Sequence, residues 1–228
     1  MRRLTIWCRL YLGMVAFSIL GSAFSRFASL EAGPIKPIAS CLTLIFGVVA
    51  IFQTMSKAAG VWKAAGATIL VLIIGAGVEI CGLYTGFPFG KYEYTTNWQP
   101  TIDLPGGKHF PLLLPLAWFL VAGSTALIFN RNRWSPILFV AVIATAIDVA
   151  MEVVMTGSLA YWKWIDRGHL PGQAPWTNSA GWFATSSLAT GIIYSLIPKK
   201  TANLEPRIIL GAYAILLVAL AMIYLPNQ

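Results

Sequence analysis

Gly77-Val78-Glu79-Ile80-Cys81-Gly82-Leu83-Tyr84-Thr85-Gly86-Phe87-Pro88-Phe89-Gly90-Lys91-Tyr92 is the stretch on which the rest of the chain turns. It closes an apolar run that begins near Ala64 and passes into a turn of glycine, proline and aromatic residues. Such a run can cross a bilayer as a helix, which takes about 20 apolar residues. A carboxylate, Glu79, stands inside it. An ionisable group at that depth costs on the order of 3 kcal/mol and marks a functional site by default.

The surrounding composition supports a membrane reading. Of 228 residues, 57% are hydrophobic and 11% charged, with a mean hydropathy of +0.72. A soluble domain carries about 25% charged residues, and a chain this short cannot hide so much apolar surface in a soluble core. The chain reads as an integral membrane protein, all-α, in a single domain spanning residues 1–228. Its formal charge of +8 comes from residues scattered at the ends of apolar runs. With no basic patch or stripe, nucleic acid is excluded as a partner. Cys8, Cys41 and Cys81 show neither metal-ligand spacing nor a disulfide framework.

Six more apolar runs flank the one that holds Glu79, here Ala64–Thr85. They are Ile6–Ser25, Ile38–Met55 (preceded by Pro34 and Pro37), Pro111–Phe129, Pro136–Thr156, Ser179–Ile197 and Ile208–Leu225. The expectation is a bundle of about seven transmembrane helices, with the first run retained as a span. Lysines and arginines favour the cytoplasmic side. With the N-terminus inside, Arg2, Arg3, Arg9, Lys57, Lys63, Arg131, Arg133, Lys199, Lys200 and Arg207 are cytoplasmic; Arg26, Lys36, Lys91, Lys108, Lys163 and Arg167 are outside. Among the loop acids, Glu31, Glu93, Asp103 and Asp166 are outside and Glu205 inside. The expected location is the cytoplasmic (inner) membrane of a prokaryote. The two long outer loops, after the third and fifth runs, are rich in Trp, Tyr, Pro and Gly and are expected to be ordered caps; loops of this length are usually functional or disordered.

Three acids lie inside runs: Glu79, Asp148 and Glu152. No lysine lies inside any run, and the one arginine there is Arg9, so a buried ion pair explains none of them. Asp148 and Glu152 are four apart and share a helix face. All three sit past the middle of outward-running helices, which predicts one three-carboxyl site below the aromatic loops. Close carboxyls in a low-dielectric setting divide into a proton donor and an ionised partner. Aromatic residues crowd the same level: Phe87, Phe89, Tyr92, Tyr94, Trp98, Trp118, Trp162, Trp164, Trp176 and Trp182. They are able to stack on a polyene or stabilise a cation, an attraction worth about 2 kcal/mol when desolvated. For any one of them an interfacial belt is the ordinary explanation; their clustering beside the acids argues for more. His109 and His169 are lone loop histidines, so no metal site is expected.

The order Glu79-x-x-Gly82-x-x-Thr85-Gly86-x-Pro88-Phe89-Gly90-x-Tyr92-x-Tyr94, then Pro111 to Phe119, resembles the first signature of the carotenoid hydratases of the CruF type. Asp148-x-x-x-Glu152, Trp162-x-Trp164 and Pro175-x-x-Asn178-x-x-Gly181-Trp182-Phe183 resemble the second. Together they cover residues 75–183. The resemblance implies a multi-span membrane enzyme that adds water across the terminal C=C of an acyclic carotenoid end group, a reaction whose chemistry requires no redox cofactor. Members act on γ-carotene or lycopene, or in bacterioruberin synthesis. Two departures touch the part that would read substrate shape. Val153 stands where the family often has proline, and Gly168–Ala174 does not align with its usual turn.

The chemistry expected is proton delivery to the less substituted alkene carbon, giving a tertiary cation that water captures. Asp148 or Glu152 is the acid and Glu79 the ionised carboxylate. Tyr84, Phe87, Phe89, Tyr92, Trp118, Trp162, Trp164 and Trp182 are the expected substrate contacts, and Asn178 is placed to hold the water. The expected partners are a lipid-soluble carotenoid, membrane lipid and other carotenoid-synthesis enzymes. Two other classes use the same features: a proton-coupled transporter, and a non-catalytic subunit of a carotenoid-synthesis complex. A retinal protein is disfavoured because Ile208–Leu225 lacks a lysine.

Overall fold

A computed structural model of the chain describes residues 4–29, 35–129, 135–197 and 204–224. Arg2, Arg3, Glu31, Pro34, Arg131, Arg133, Lys199, Lys200 and Leu225, used above to argue spans and orientation, lie outside the described residues.

The seven apolar runs fold as α1 (Ile6–Phe27), α2 (Ile35–Ala59), α3 (Val61–Thr85), α4 (Leu114–Phe129), α5 (Ser135–Glu152), α6 (Trp176–Leu196) and α7 (Leu204–Tyr224). By length and apolarity five can cross a membrane: α1, α2, α3, α5 with its continuation to Ser158, and α7. The other two are special cases. In α4, 16 residues long, Ala117–Leu127 are buried without a break. It touches α2, α3, α5, α6 and α7, and a helix apolar on every face belongs in the middle of a bundle. α6 is longer but carries buried Asn178, Thr185, Ser186 and Thr190, which lower its apolarity.

Pro111, read as the start of the fourth run, instead ends a strand, and the helix begins at Leu114. Proline has no N–H and pre-sets an extended entry, so it sits naturally at such an edge. α5 does not stop at Glu152 but runs on as a π-helical segment, Val153–Ser158. The Leu159 N–H reaches the Val154 carbonyl at 3.0 Å. Val153, unlike proline, lets the chain stay helical here, and π-turns of this kind mark functional positions in helices.

The helical reading omitted four short strands. β1 (Tyr92–Tyr94) pairs antiparallel with β4 (Trp162–Trp164), and β2 (Thr101–Leu104) with β3 (Lys108–Pro111). The first pair joins the two aromatic loops to each other. Its register sets Tyr92 opposite Trp164 and Tyr94 opposite Trp162. Side chains alternate along a strand, so these four face the bundle. Glu93 and Lys163 take the other face, 3.1 Å apart.

Glycines decide how closely this cap approaches the helices. Gly86 ends α3 in a left-handed conformation, φ 77°, with its N–H on the Gly82 carbonyl at 2.8 Å, the usual glycine stop for a helix. Gly75 and Gly82 lie one turn before and after Glu79. A Cβ on Gly75 would stand 3.0 Å from the Cβ of Trp118, and one on Gly82 2.7 Å from the Tyr92 hydroxyl. The bare backbone on that face is what lets Trp118 and Tyr92 reach the acid between them. Gly82→Ala is therefore expected to push Tyr92 off Glu79 and to destabilise the protein by about 1–3 kcal/mol, as overpacking does. Thermal unfolding in detergent measures it.

Candidate active site

Glu79, Asp148 and Glu152 are all buried, at 5%, 1% and 2% exposure, and all line one cavity of about 420 Å³. The helices bring them there from α3 and the end of α5; the cap, α4 and α6 supply their partners.

Glu79 accepts three side-chain hydrogen bonds. The Tyr92 and Tyr94 hydroxyls donate to Oε2 at 2.6 and 2.7 Å, and Trp118 Nε1 donates to Oε1 at 2.8 Å. Burial, and then the neighbouring Glu79, pushes both phenols well above their ordinary range, so they remain O–H donors. Trp118 in turn stacks on Trp182, with ring centroids 3.7 Å apart and planes 17° from parallel.

Glu152 is held in a similar way from the other strand of the ribbon. Trp164 and Trp162 donate to Oε2 at 2.8 and 3.1 Å, and Asn178 Nδ2 donates to Oε1 at 3.1 Å. The same Asn178 nitrogen donates to Asp148 Oδ2 at 2.7 Å. Asn178 is in the first turn of α6, whose positive helix end favours nearby anions. Its own N–H bonds the Pro175 carbonyl at 3.0 Å.

The three acids are therefore unequal. Glu79 and Glu152 each accept three donors. Asp148 receives one among the described residues, the Asn178 amide. A carboxylate fixed by two or three donors is stabilised as the anion, whereas one with a single donor has less to hold its charge.

Phe89, Tyr92, Trp118, Trp162, Trp164, Asn178 and Trp182 line the cavity with the acids. Tyr84 and Phe87 do not join them. Tyr84 is 50% exposed and Phe87 73% exposed, and the Tyr84 hydroxyl donates to the Pro105 carbonyl at 2.9 Å. The reason is helical phase: Tyr84 is five residues beyond Glu79 and falls on another face of α3, while Phe87 follows the reversal at Gly86. Sequence reasoning left out Tyr94 as a site residue, although the i, i+2 pattern of Tyr92 and Tyr94 matches that of Trp162 and Trp164. It also missed Tyr161 and Tyr213, which line the cavity; Tyr213 donates to Met151 Sδ at 3.0 Å. Tyr213 looks like an ordinary aromatic residue of an apolar run, and Tyr161 like one more aromatic of the second loop.

His109 Nδ1 lies 2.8 Å from Asp103 Oδ1 on the exposed β2–β3 hairpin. Among the described residues, no group of three or more His, Cys, Asp or Glu is spaced to hold a metal ion.

Residues 39–226 match the family model described as "Carotenoid biosynthesis protein". The chain is also similar to a bisanhydrobacterioruberin hydratase from Haloarcula japonica, 29% identical over 189 residues. That match takes in 77% of this chain but 61% of the relative's length. No solved structure matches.

Proposed function

The chain belongs to the carotenoid biosynthesis protein family, and from that premise we propose that it is a cofactor-independent carotenoid hydratase acting on an acyclic end group. The observation that carries this reading is the unequal set of acids: two carboxylates fixed by three donors each and one, Asp148, that receives a single donor among the described residues. The hydratase relative supports the same chemistry.

On this reading Asp148 donates its proton to the less substituted carbon of the terminal alkene. The π electrons form the new C–H bond and leave a tertiary cation on the dimethyl-bearing carbon. Glu79 remains ionised and, with the faces of Trp118 and Trp182, stabilises that cation. Water adds through its oxygen and loses a proton to Glu152, one turn from Asp148 on the same helix. Asn178, bonded to both carboxyls, holds them in the register that returns the proton to Asp148. The sum is one water added, with no electron gained or lost. Tyr94, Trp162 and Trp164 position the carboxylates, and Phe89 and Tyr92 shape the pocket.

The site end is assigned to the non-cytoplasmic side of a prokaryotic inner membrane, because the sequence reading puts ten of the sixteen lysines and arginines in segments expected on the cytoplasmic side. The remaining partners on this reading are lipid and other carotenoid-synthesis enzymes.

Expression in a host that accumulates lycopene or γ-carotene tests the proposal. A hydroxylated carotenoid heavier by one water is expected; unaltered pigment alongside well-expressed protein would count against it. Trp164→Phe should keep the packing on Tyr92, now 5.4 Å between centroids, and lose the donor to Glu152. A hydrogen bond to a charged group is worth about 1.5–3 kcal/mol, so a loss of about 10- to 100-fold in turnover is expected, read from product formed per unit protein.

A further inference from the structure

The cavity does not end at the carboxyls. It continues between α1, α2 and α7, where Ser18, Gly21, Ser22 and Ser25 of α1 line it together with Ser40 and Thr43 of α2. The four α1 residues recur at i, i+3, i+4 and i+7, so they form one narrow face of small side chains. At the far end Phe17, Phe24 and Ile35 also line the cavity while being 49%, 65% and 55% exposed. The cavity thus reaches the outer surface of the bundle between α1 and α2.

Its size points to why. A volume of 420 Å³ is that of a pocket for a drug-sized ligand. It holds one end group and a few conjugated units, not an entire long polyene. A carotenoid with its end at Asp148 must leave the rest outside, and water or headgroups are poor solvents for it.

We propose that the α1–α2 opening is a lateral slot through which the unreacted polyene extends into the bilayer, kept open by the small residues Gly21 and Ser22. The inference rests on the carotenoid reading above and adds the route and the residues that gate it. The slot is continuous with the carboxyl end, and at its rim the apolar Phe17, Phe24 and Ile35 stand with Lys36. Gly21 has open space around it: a Cβ there would meet nothing within 4 Å. A large side chain at Gly21 therefore fills the slot without striking the backbone. Gly13, two turns earlier, is equally open but does not line the cavity.

The experiment purifies wild type, Gly21→Trp and Gly13→Trp from a lycopene-producing host and measures pigment bound per protein and hydrated product. Gly21→Trp is expected to lose at least about tenfold in bound pigment, equivalent to about 1.4 kcal/mol, and to lose product with it. Gly13→Trp should match wild type. If Gly21→Trp fails to fold, Gly21→Leu replaces it, with a smaller loss in the same two readings. Wild-type pigment in a folded Gly21 variant overturns the slot, as does a wild type that binds no polyene. Asp148→Asn separates the two readings: it is expected to keep its pigment and lose hydration. Should wild type bind polyene yet hydrate none, the hydratase reading falls, and the slot is still judged by the Gly21 variant's pigment.

Discussion

Asp148→Asn is expected to reduce hydration by about 10³-fold, within the range that a general acid contributes, while leaving the protein as stable as before. The substitution keeps the shape of the side chain and removes its transferable proton. The Asn178 amide, now donating to Asp148 Oδ2 at 2.7 Å, finds a carbonyl oxygen of the replacement in the same place. Nothing else among the described residues bonds that side chain, so the new amide group takes the place of Oδ1 without breaking an existing hydrogen bond. Activity and unfolding temperature should therefore separate: product falls to background in the carotenoid assay, and the melting curve in detergent does not move down. A variant with near wild-type turnover would remove Asp148 from the acid role.

Glu79→Gln is expected to damage both. The amide brings two N–H donors into a place already facing three, from Tyr92, Tyr94 and Trp118. One oxygen remains to accept, so at least one buried donor loses its partner, which costs about 1–3 kcal/mol. The negative charge that stabilises the cation is lost as well, and with it about 10²-fold or more in turnover, the scale of electrostatic stabilisation in a dry site. The joint fall in melting temperature and product distinguishes this position from Asp148. Equal stability in the two variants would mean that the three donors do not hold Glu79 as described.

Much of this arrangement was legible in the sequence, because hydropathy and intramembrane charge are strong local signals. The seven apolar runs correspond to the helices, and the three acids do line one cavity. The ribbon was not legible. Each of β1 and β4 has three residues, too few for alternation to stand out against loop composition, and their pairing joins positions seventy residues apart. Tyr84 and Phe87 were chosen for proximity along the chain, whereas the helical turn and the Gly86 reversal decide which side chains face Glu79. The contribution of α1 was hidden for another reason. Ser18, Gly21, Ser22 and Ser25 look like ordinary small residues in an apolar run, and that they line the cavity depends on what α2 and α7 leave open beside them. The π-helical extension after Glu152 also depends on its surroundings, since Val153 merely permits it.

The most direct measurement of the central claim uses purified wild-type protein in lipid discs with lycopene, no added cofactor, and water labelled with heavy oxygen. The account predicts a carotenoid tertiary alcohol whose new oxygen is the label, formed by wild type and not by Asp148→Asn. An unlabelled alcohol would contradict it by showing that the oxygen comes from a source other than water, and no alcohol from folded, pigment-bound protein would contradict it in favour of a transporter or a non-catalytic subunit.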